Sequence, residues 1–143
     1  EGVMVNKRKV VDKGVLLGYF LSSYSARRLN MQTTGNAGGS HNLIIKDSGL
    51  SFDELVKKMG RGLIVTELLG HGLNMVTGDY SRGAAGLWVE NGEVQFAVEE
   101  ITIASNIKDM LMNIEAVATD TYTNSSKYTG SILVKEMMVG SNN

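Results

Sequence analysis

Apolar positions along this chain follow two rhythms, and each predicts a different element. Residues 15–21 (VLLGYFL) are an almost unbroken apolar run, whose length and aromatic content predict a buried strand. Residues 22–29 (SSYSARRL) predict a helix. Serines open it, Arg27 and Arg28 complement the dipole in its last turn, and Asn30 can close it in the left-handed region. Residues 42–46 (NLIIK) read as a strand. In residues 50–60 (LSFDELVKKMG), Phe52, Leu55, Val56 and Met59 recur at i, i+3, i+4 and i+7 and define one apolar helical face. Ser51 and Glu54 have capping-box spacing, Leu50 and Leu55 occupy the staple positions, and Gly60 closes the helix. Residues 62–69 (GLIVTELL) predict a strand buried on both faces except near Thr66 and Glu67.

The stretch from Gly70 to Val98 organises the rest. Asn91-Gly92 stands between Leu87-Trp88-Val89 and Val94-Gln95-Phe96. A two-residue type I′ hairpin needs positive φ at both central positions, and this pair tolerates it best. A second turn at Thr77-Gly78-Asp79 separates Asn74-Met75-Val76 from Tyr80, and a glycine-rich link over 82–86 leads into the tryptophan strand. At least three short strands are expected here. Residues 99–103 predict another strand, and Ser105 is placed to cap a helix over 106–114 with Ile107, Met110, Leu111 and Ile114 on one face. Residues 116–118 extend, 120–130 form a polar loop, and 131–139 form a closing strand with Met137 and Met138 as core filler. The tail 140–143 is expected to be disordered. The fold class is α+β and β-rich: a mostly antiparallel sheet of about eight or more short strands with about three helices, since tight turns rather than crossovers connect the strands.

Composition narrows the function. A chain of 143 residues is expected to form a single domain. The balance of 14 basic and 15 acidic residues gives no electrostatic reason to expect nucleic acid or a membrane surface. The longest apolar run is far short of the ~20 residues a spanning helix needs. Cysteine is absent, which excludes disulfides and thiolate metal sites. Glycine is abundant at 17 and proline absent, which favours tight β-turns. The opening Glu1-Gly2-Val3 and the lack of an initiator methionine lead us to expect a fragment of something longer. No signal peptide is visible, and an intracellular protein is expected.

Candidate chemistry is sparse. The loop over 33–41 (TTGNAGGSH) is rich in glycine but lacks the Gly-Lys-Ser/Thr ending and following helix of a phosphate-binding loop. Glu67 reads as an exposed or paired strand glutamate rather than a catalytic carboxylate. His71 lies between Gly70 and Gly72, where another backbone could come close. His41 is distant in sequence, and nothing at helical spacing completes a metal site from the two. No internal repeat is visible.

Several stretches together resemble the C-terminal domain of the TldD/PmbA family, on its PmbA (TldE) branch. They are residues 18–29 (GYFLSSYSARRL), 34–37 (TGNA), 76–84 (VTGDYSRGA), 86–93 (GLWVENGE) and 101–110 (ITIASNIKDM), in the family's order and spread over most of the chain. The tryptophan form of the hairpin and Lys108-Asp109-Met110 place it on the PmbA side. The resemblance implies a C-terminal fragment, residues 1–143, of one subunit of a cytoplasmic heterodimeric peptidase that degrades or matures peptides. In that family TldD holds the metal through a two-histidine helix upstream of the region matched and a cysteine near its C-terminus. The cysteine's counterpart should fall within 122–130, where this chain has Thr123-Asn124-Ser125-Ser126. Hydroxyls are poor zinc ligands beside thiolate or imidazole.

The expectation is therefore a subunit with no catalytic residue and no metal of its own, inactive alone, with zinc in a TldD-like partner and unfolded peptides as substrate. Gly35, Asn36, His71 and Gly72 are its candidate cavity-lining residues, chosen because small residues let a peptide backbone approach. The alternative is a protein-interaction module, a modulator of DNA gyrase without a proteolytic role. An independent metal hydrolase would need ligands that the sequence does not cluster.

Overall fold

The computed structural model describes residues 1–141. The chain divides into two compact units, one of residues 1–44 and 124–128, the other of residues 45–123 and 129 onward.

In the first unit, β1 (Val11–Asp12) and β2 (Val15–Leu16) form a small antiparallel hairpin across Lys13 and Gly14. The strand expected over 15–21 stops after two residues. Leu17, Tyr19 and Phe20 are exposed, and only Leu21 of that run is buried. The backbone of Leu21 bonds to a loop instead of a strand. Its N–H donates to Thr34 Oγ1 at 2.7 Å, and its carbonyl accepts from the Asn36 N–H at 3.1 Å. Helix α1 (Ser23–Arg28) forms where its serines predict, with Ser22 and Ser25 in a reciprocal capping box. The Glu1 carboxylate accepts from the Ser23 N–H at 3.0 Å, and Asn30 has φ 53°, as expected of a closing residue. Strand β3 (Leu43–Ile44) pairs in parallel with β8 (Lys127–Tyr128), so the predicted loop over 120–130 contains a short strand.

The second unit begins with α2 (Phe52–Met59), as its pattern predicts. The Ser51 N–H donates to Glu54 Oε2 at 2.8 Å, and the Glu54 N–H donates to Ser51 Oγ at 3.3 Å. Leu55 packs with Ala116, Ala118 and Leu133, and Leu50 and Met59 close over this cluster. A four-stranded antiparallel sheet follows, in spatial order β10 (Met138–Ser141), β6 (Glu93–Asn106), β5 (Asp79–Glu90), β4 (Gly62–Leu69). Asn91 and Gly92 have φ of 54° and 74°, the left-handed pair that the hairpin requires. Ala84, Ile101 and Ile103 form the buried cluster of this sheet, flanked by Leu63, Tyr80, Val98 and Met137.

The hairpin strands are long, and they absorb both the glycine-rich link over 82–86 and the separate strand expected over 99–103. Register shifts at Ala84/Gly86 and Trp88/Val89, with φ 54° at Glu100, let one ladder continue through positions that read as breaks. Asn74-Met75-Val76 is a turn: Asn74 Oδ1 accepts from the Val76 N–H at 2.9 Å, and only Leu73 bridges to Tyr80. Strand β4 is not buried on both faces. It stands at the sheet edge, with Val65, Leu68 and Leu69 exposed. The single closing strand is two: β9 (Ile132–Val134), paired with β7 (Ile114–Val117), and β10, paired with β6. Met137 packs against the sheet cluster, whereas Met138 is 76% exposed. Helix α3 (Ile107–Met112) is capped by Asn106 rather than Ser105, and none of its residues is buried. Gly140 and Ser141 are in β10, while Asn142 and Asn143 lie outside the described residues.

Candidate functional site

The residues expected to line a cavity fall in different units, two in each. Gly35 (φ 71°) and Asn36 belong to the first. Asn36 is the one buried polar residue among the described residues, 6% exposed, and its Nδ2 donates to the Gly39 carbonyl at 3.1 Å within its own turn. Its side chain therefore satisfies the loop from inside. In the second unit, His71 and Gly72 line a shallow open hollow with Leu73, Asn74, Asp79 and Ser81. Gly72 is explained by close approach. Its carbonyl accepts from the Ser81 N–H at 2.8 Å, and a Cβ here would land on the Ser81 carbonyl. Glu67 is exposed on β4, in line with the bland reading of that residue.

A larger concavity arises from elements that sequence reasoning treated as plain core. Within the second unit, a groove of about 550 Å³ is lined by Phe52 and Met59 of α2, Leu63 of β4, Trp88 of β5, Ile103 of β6 and Leu133 of β9. Its walls are chiefly apolar. At Trp88 the guanidinium of Arg61 lies 5.6 Å from the ring centroid, and the indole N–H donates to Glu90 Oε1 at 3.2 Å. Arg61 Nε stands 3.8 Å from the same carboxylate. The sequence signal for this cluster was the sole tryptophan on a hairpin strand, with Arg61 just ahead of β4. Beside the groove, β4 pairs only with β5, so its outer backbone N–H and C=O groups have no strand partner among the described residues. That edge can accept an extended peptide through main-chain hydrogen bonds.

Two carboxylates have shifted acidity, and both shifts are local. The Ser51 N–H and hydroxyl hold Glu54 below its usual range. Partial burial pushes Asp120 up, but the hydroxyl and N–H of Ser131, at 2.7 and 2.8 Å, outweigh that and leave it lowered. Both bonds brace structure. Among the described residues no three His, Asp or Glu side chains converge. With cysteine absent as well, the donors that the described residues bring together do not fit a zinc centre. Among the described residues no helix is long and apolar enough to cross a membrane.

Comparison with known proteins agrees with this architecture. Residues 1–141 match the family model described as the PmbA/TldA metallopeptidase C-terminal domain. The chain is 53% identical over 139 residues to Metalloprotease PmbA of Escherichia coli O157:H7, covering 97% of this chain and 31% of the relative. It is 50% identical over 145 residues to the Metalloprotease PmbA homolog of Haemophilus influenzae, covering 99% and 32%. It thus spans about a third of the length of these relatives. A crystal structure from Thermotoga maritima, titled as a proposed modulator of a DNA gyrase, superposes with TM-score 0.89 at 36% identity, covering 97% of this chain and 34% of that one. One from Bacteroides thetaiotaomicron with a similar title gives TM-score 0.91 at 28% identity, covering 98% and 32%.

Proposed function

The chain belongs to the family of PmbA/TldA metallopeptidase C-terminal domains, and on that premise we propose that it is part of a non-catalytic, PmbA-type subunit of a two-component peptidase. The TldD-like partner supplies the zinc and its ligands, and unfolded peptides are what the assembly degrades or matures in the cytoplasm. The observation that carries this reading is the donor set. Within 122–130, where the resemblance places the metal-holding subunit's cysteine, this chain has Thr123-Asn124-Ser125-Ser126, and no cysteine stands elsewhere in its 143 residues. Its own residues bind and orient: the free edge of β4 pairs with an extended backbone without demanding a particular sequence, and the apolar groove takes side chains.

Gly35 and Asn36 in the first unit, and independently His71 and Gly72 in the open hollow of the second, are proposed to contact peptide, each pair on its own. His71→Ala and Asn36→Ala in the full heterodimer test two of them, and peptide turnover unchanged in both removes them from the site.

The decisive experiment is peptide hydrolysis with zinc, by the full-length protein alone and after mixing with its TldD-like partner. Hydrolysis is expected only in the mixture. Hydrolysis by this protein alone would overturn the non-catalytic role. The two superposed structures are described as proposed modulators of DNA gyrase, and the second reading extends this to a module that acts on gyrase without proteolysis. Co-purification separates the two: a stoichiometric TldD-like partner supports the peptidase subunit, and gyrase alone supports the modulator.

A further inference from the structure

Asn91 is the only asparagine of the sequence that glycine follows. Asparagine is chemically labile, because the backbone nitrogen of the next residue can attack its side-chain carbonyl carbon, and glycine places no Cβ in the way. Here the pair forms the turn between β5 and β6, and Asn91 is exposed. The atom that would attack is engaged. The Gly92 N–H donates to the Gly60 carbonyl at 2.7 Å. Gly60 closes α2, with φ 68°. The approach is tight, since a Cβ on residue 92 would stand 3.1 Å from Lys57 Cα. The hairpin turn therefore rests on the last turn of α2. One hydrogen bond ties the two together and holds the proton on the nitrogen that would react.

We propose that Asn91 is a deamidation site gated by the Gly60–Gly92 hydrogen bond, and that its conversion to isoaspartate uncouples the hairpin from α2. When the bond opens, the Gly92 nitrogen gives its proton to water and bonds to Asn91 Cγ. The bond from Cγ to Nδ2 breaks, ammonia leaves, and a five-membered succinimide is closed. Water then opens that ring, and nothing is oxidised or reduced. Opening at Cγ leaves aspartate. Opening at the main-chain carbonyl of residue 91 leaves isoaspartate, whose main chain runs through Cβ and is one methylene longer. A two-residue hairpin turn fixes both of its backbone conformations, so the added methylene breaks it. Either product also adds a carboxylate between Glu90 and Glu93, which pair across the turn, and like charges so placed repel. Met59 of α2 and Trp88 of β5 line the same groove, so the broken tie frees one wall of it from the other. The inference needs no peptide in that groove and stands apart from the peptidase reading.

The test keeps the full-length protein at neutral pH for weeks, folded in buffer and unfolded in guanidinium. Mass spectrometry follows the tryptic peptide of residues 83–108, with fragmentation that tells isoaspartate from aspartate. The folded protein is expected to deamidate about tenfold more slowly than the unfolded one, because only the locally open fraction reacts. Gly60→Ala is strained at φ 68° and displaces its own carbonyl, so its folded rate should approach the unfolded one. Hydrogen exchange at the Gly92 amide reads the same gate without a variant, and clear protection is expected in the wild type. The isoaspartate form, separated chromatographically, is expected to lose that protection. Equal rates in folded and unfolded wild type, free exchange at Gly92, or an unchanged slow rate in folded Gly60→Ala each overturn the gate. No conversion of the folded protein by the time the unfolded one is fully converted overturns the site. An isoaspartate form that keeps Gly92 protected overturns the uncoupling.

Discussion

At Gly72 the absence of a side chain lets another backbone come close, as the sequence suggests, and within this unit that backbone is Ser81. The room is filled by the Ser81 carbonyl and the Arg82 stem. Gly72→Ala is therefore expected to cost about 3 kcal/mol or more in urea unfolding, since backbone must shift. Gly38→Ala, with no atom within 4 Å of the added Cβ, should stay within about 0.5 kcal/mol. Asn36 carries a similar lesson: its amide is consumed by the Gly39 carbonyl, so any loss of turnover in Asn36→Ala must be read beside a melting curve. At Asp120 the consequence is pH dependence. The folded-state pKa is lowered, so its stabilisation is complete above the unfolded carboxylate pKa and is lost as pH falls through the folded one. Asp120→Asn should cost about 1 kcal/mol at neutral pH, a modest figure because the pair is exposed, and should flatten the fall in Tm below about pH 5. None of this was legible in the sequence, because Asp120 meets Ser131 only through the tertiary fold.

Among the elements, those whose instructions lie within a few residues were the ones the sequence announced. Helix α2 combines a capping box, one apolar face and a closing glycine, all local signals, and it forms as written. Ser51→Ala should cost about 1 kcal/mol through the lost cap. Leu55→Ala should cost about 2–4 kcal/mol, because it opens space against Ala116, Ala118 and Leu133. Thermal melts of both variants check the pair, and equal small losses would show that the packing reading of Leu55 is wrong. The Asn91-Gly92 turn is local in the same sense. Strand length was not. The glycine-rich link over 82–86 reads as a break and residues 99–103 as a strand of their own, yet bulges carry one ladder through both, and only the neighbouring strand determines where a bulge sits. Burial was equally illegible. The run over 62–69 has the composition of a central strand, but its place at the sheet edge leaves Val65, Leu68 and Leu69 exposed.

For the molecule as a whole, the family resemblance rested on ordered motifs in the sequence, and the family match over residues 1–141 and the superpositions agree with it. The α+β, mostly antiparallel class follows from the tight turns and short helices, and the sheets have that form. Hydrolysis only in the presence of the TldD-like partner is the prediction that belongs to this scale, and it follows from the proposed role as a PmbA-type subunit. The sequence by itself determined the family, the helix caps, the hairpin turn and the absence of thiol chemistry, because each depends on residue type at short spacing. The tertiary structure alone decided which strand is an edge, which apolar residues line the groove, and that Asp120 meets Ser131. Those depend on pairings between residues distant along the chain, and side-chain pattern along one strand carries no record of what the neighbouring strand places opposite it.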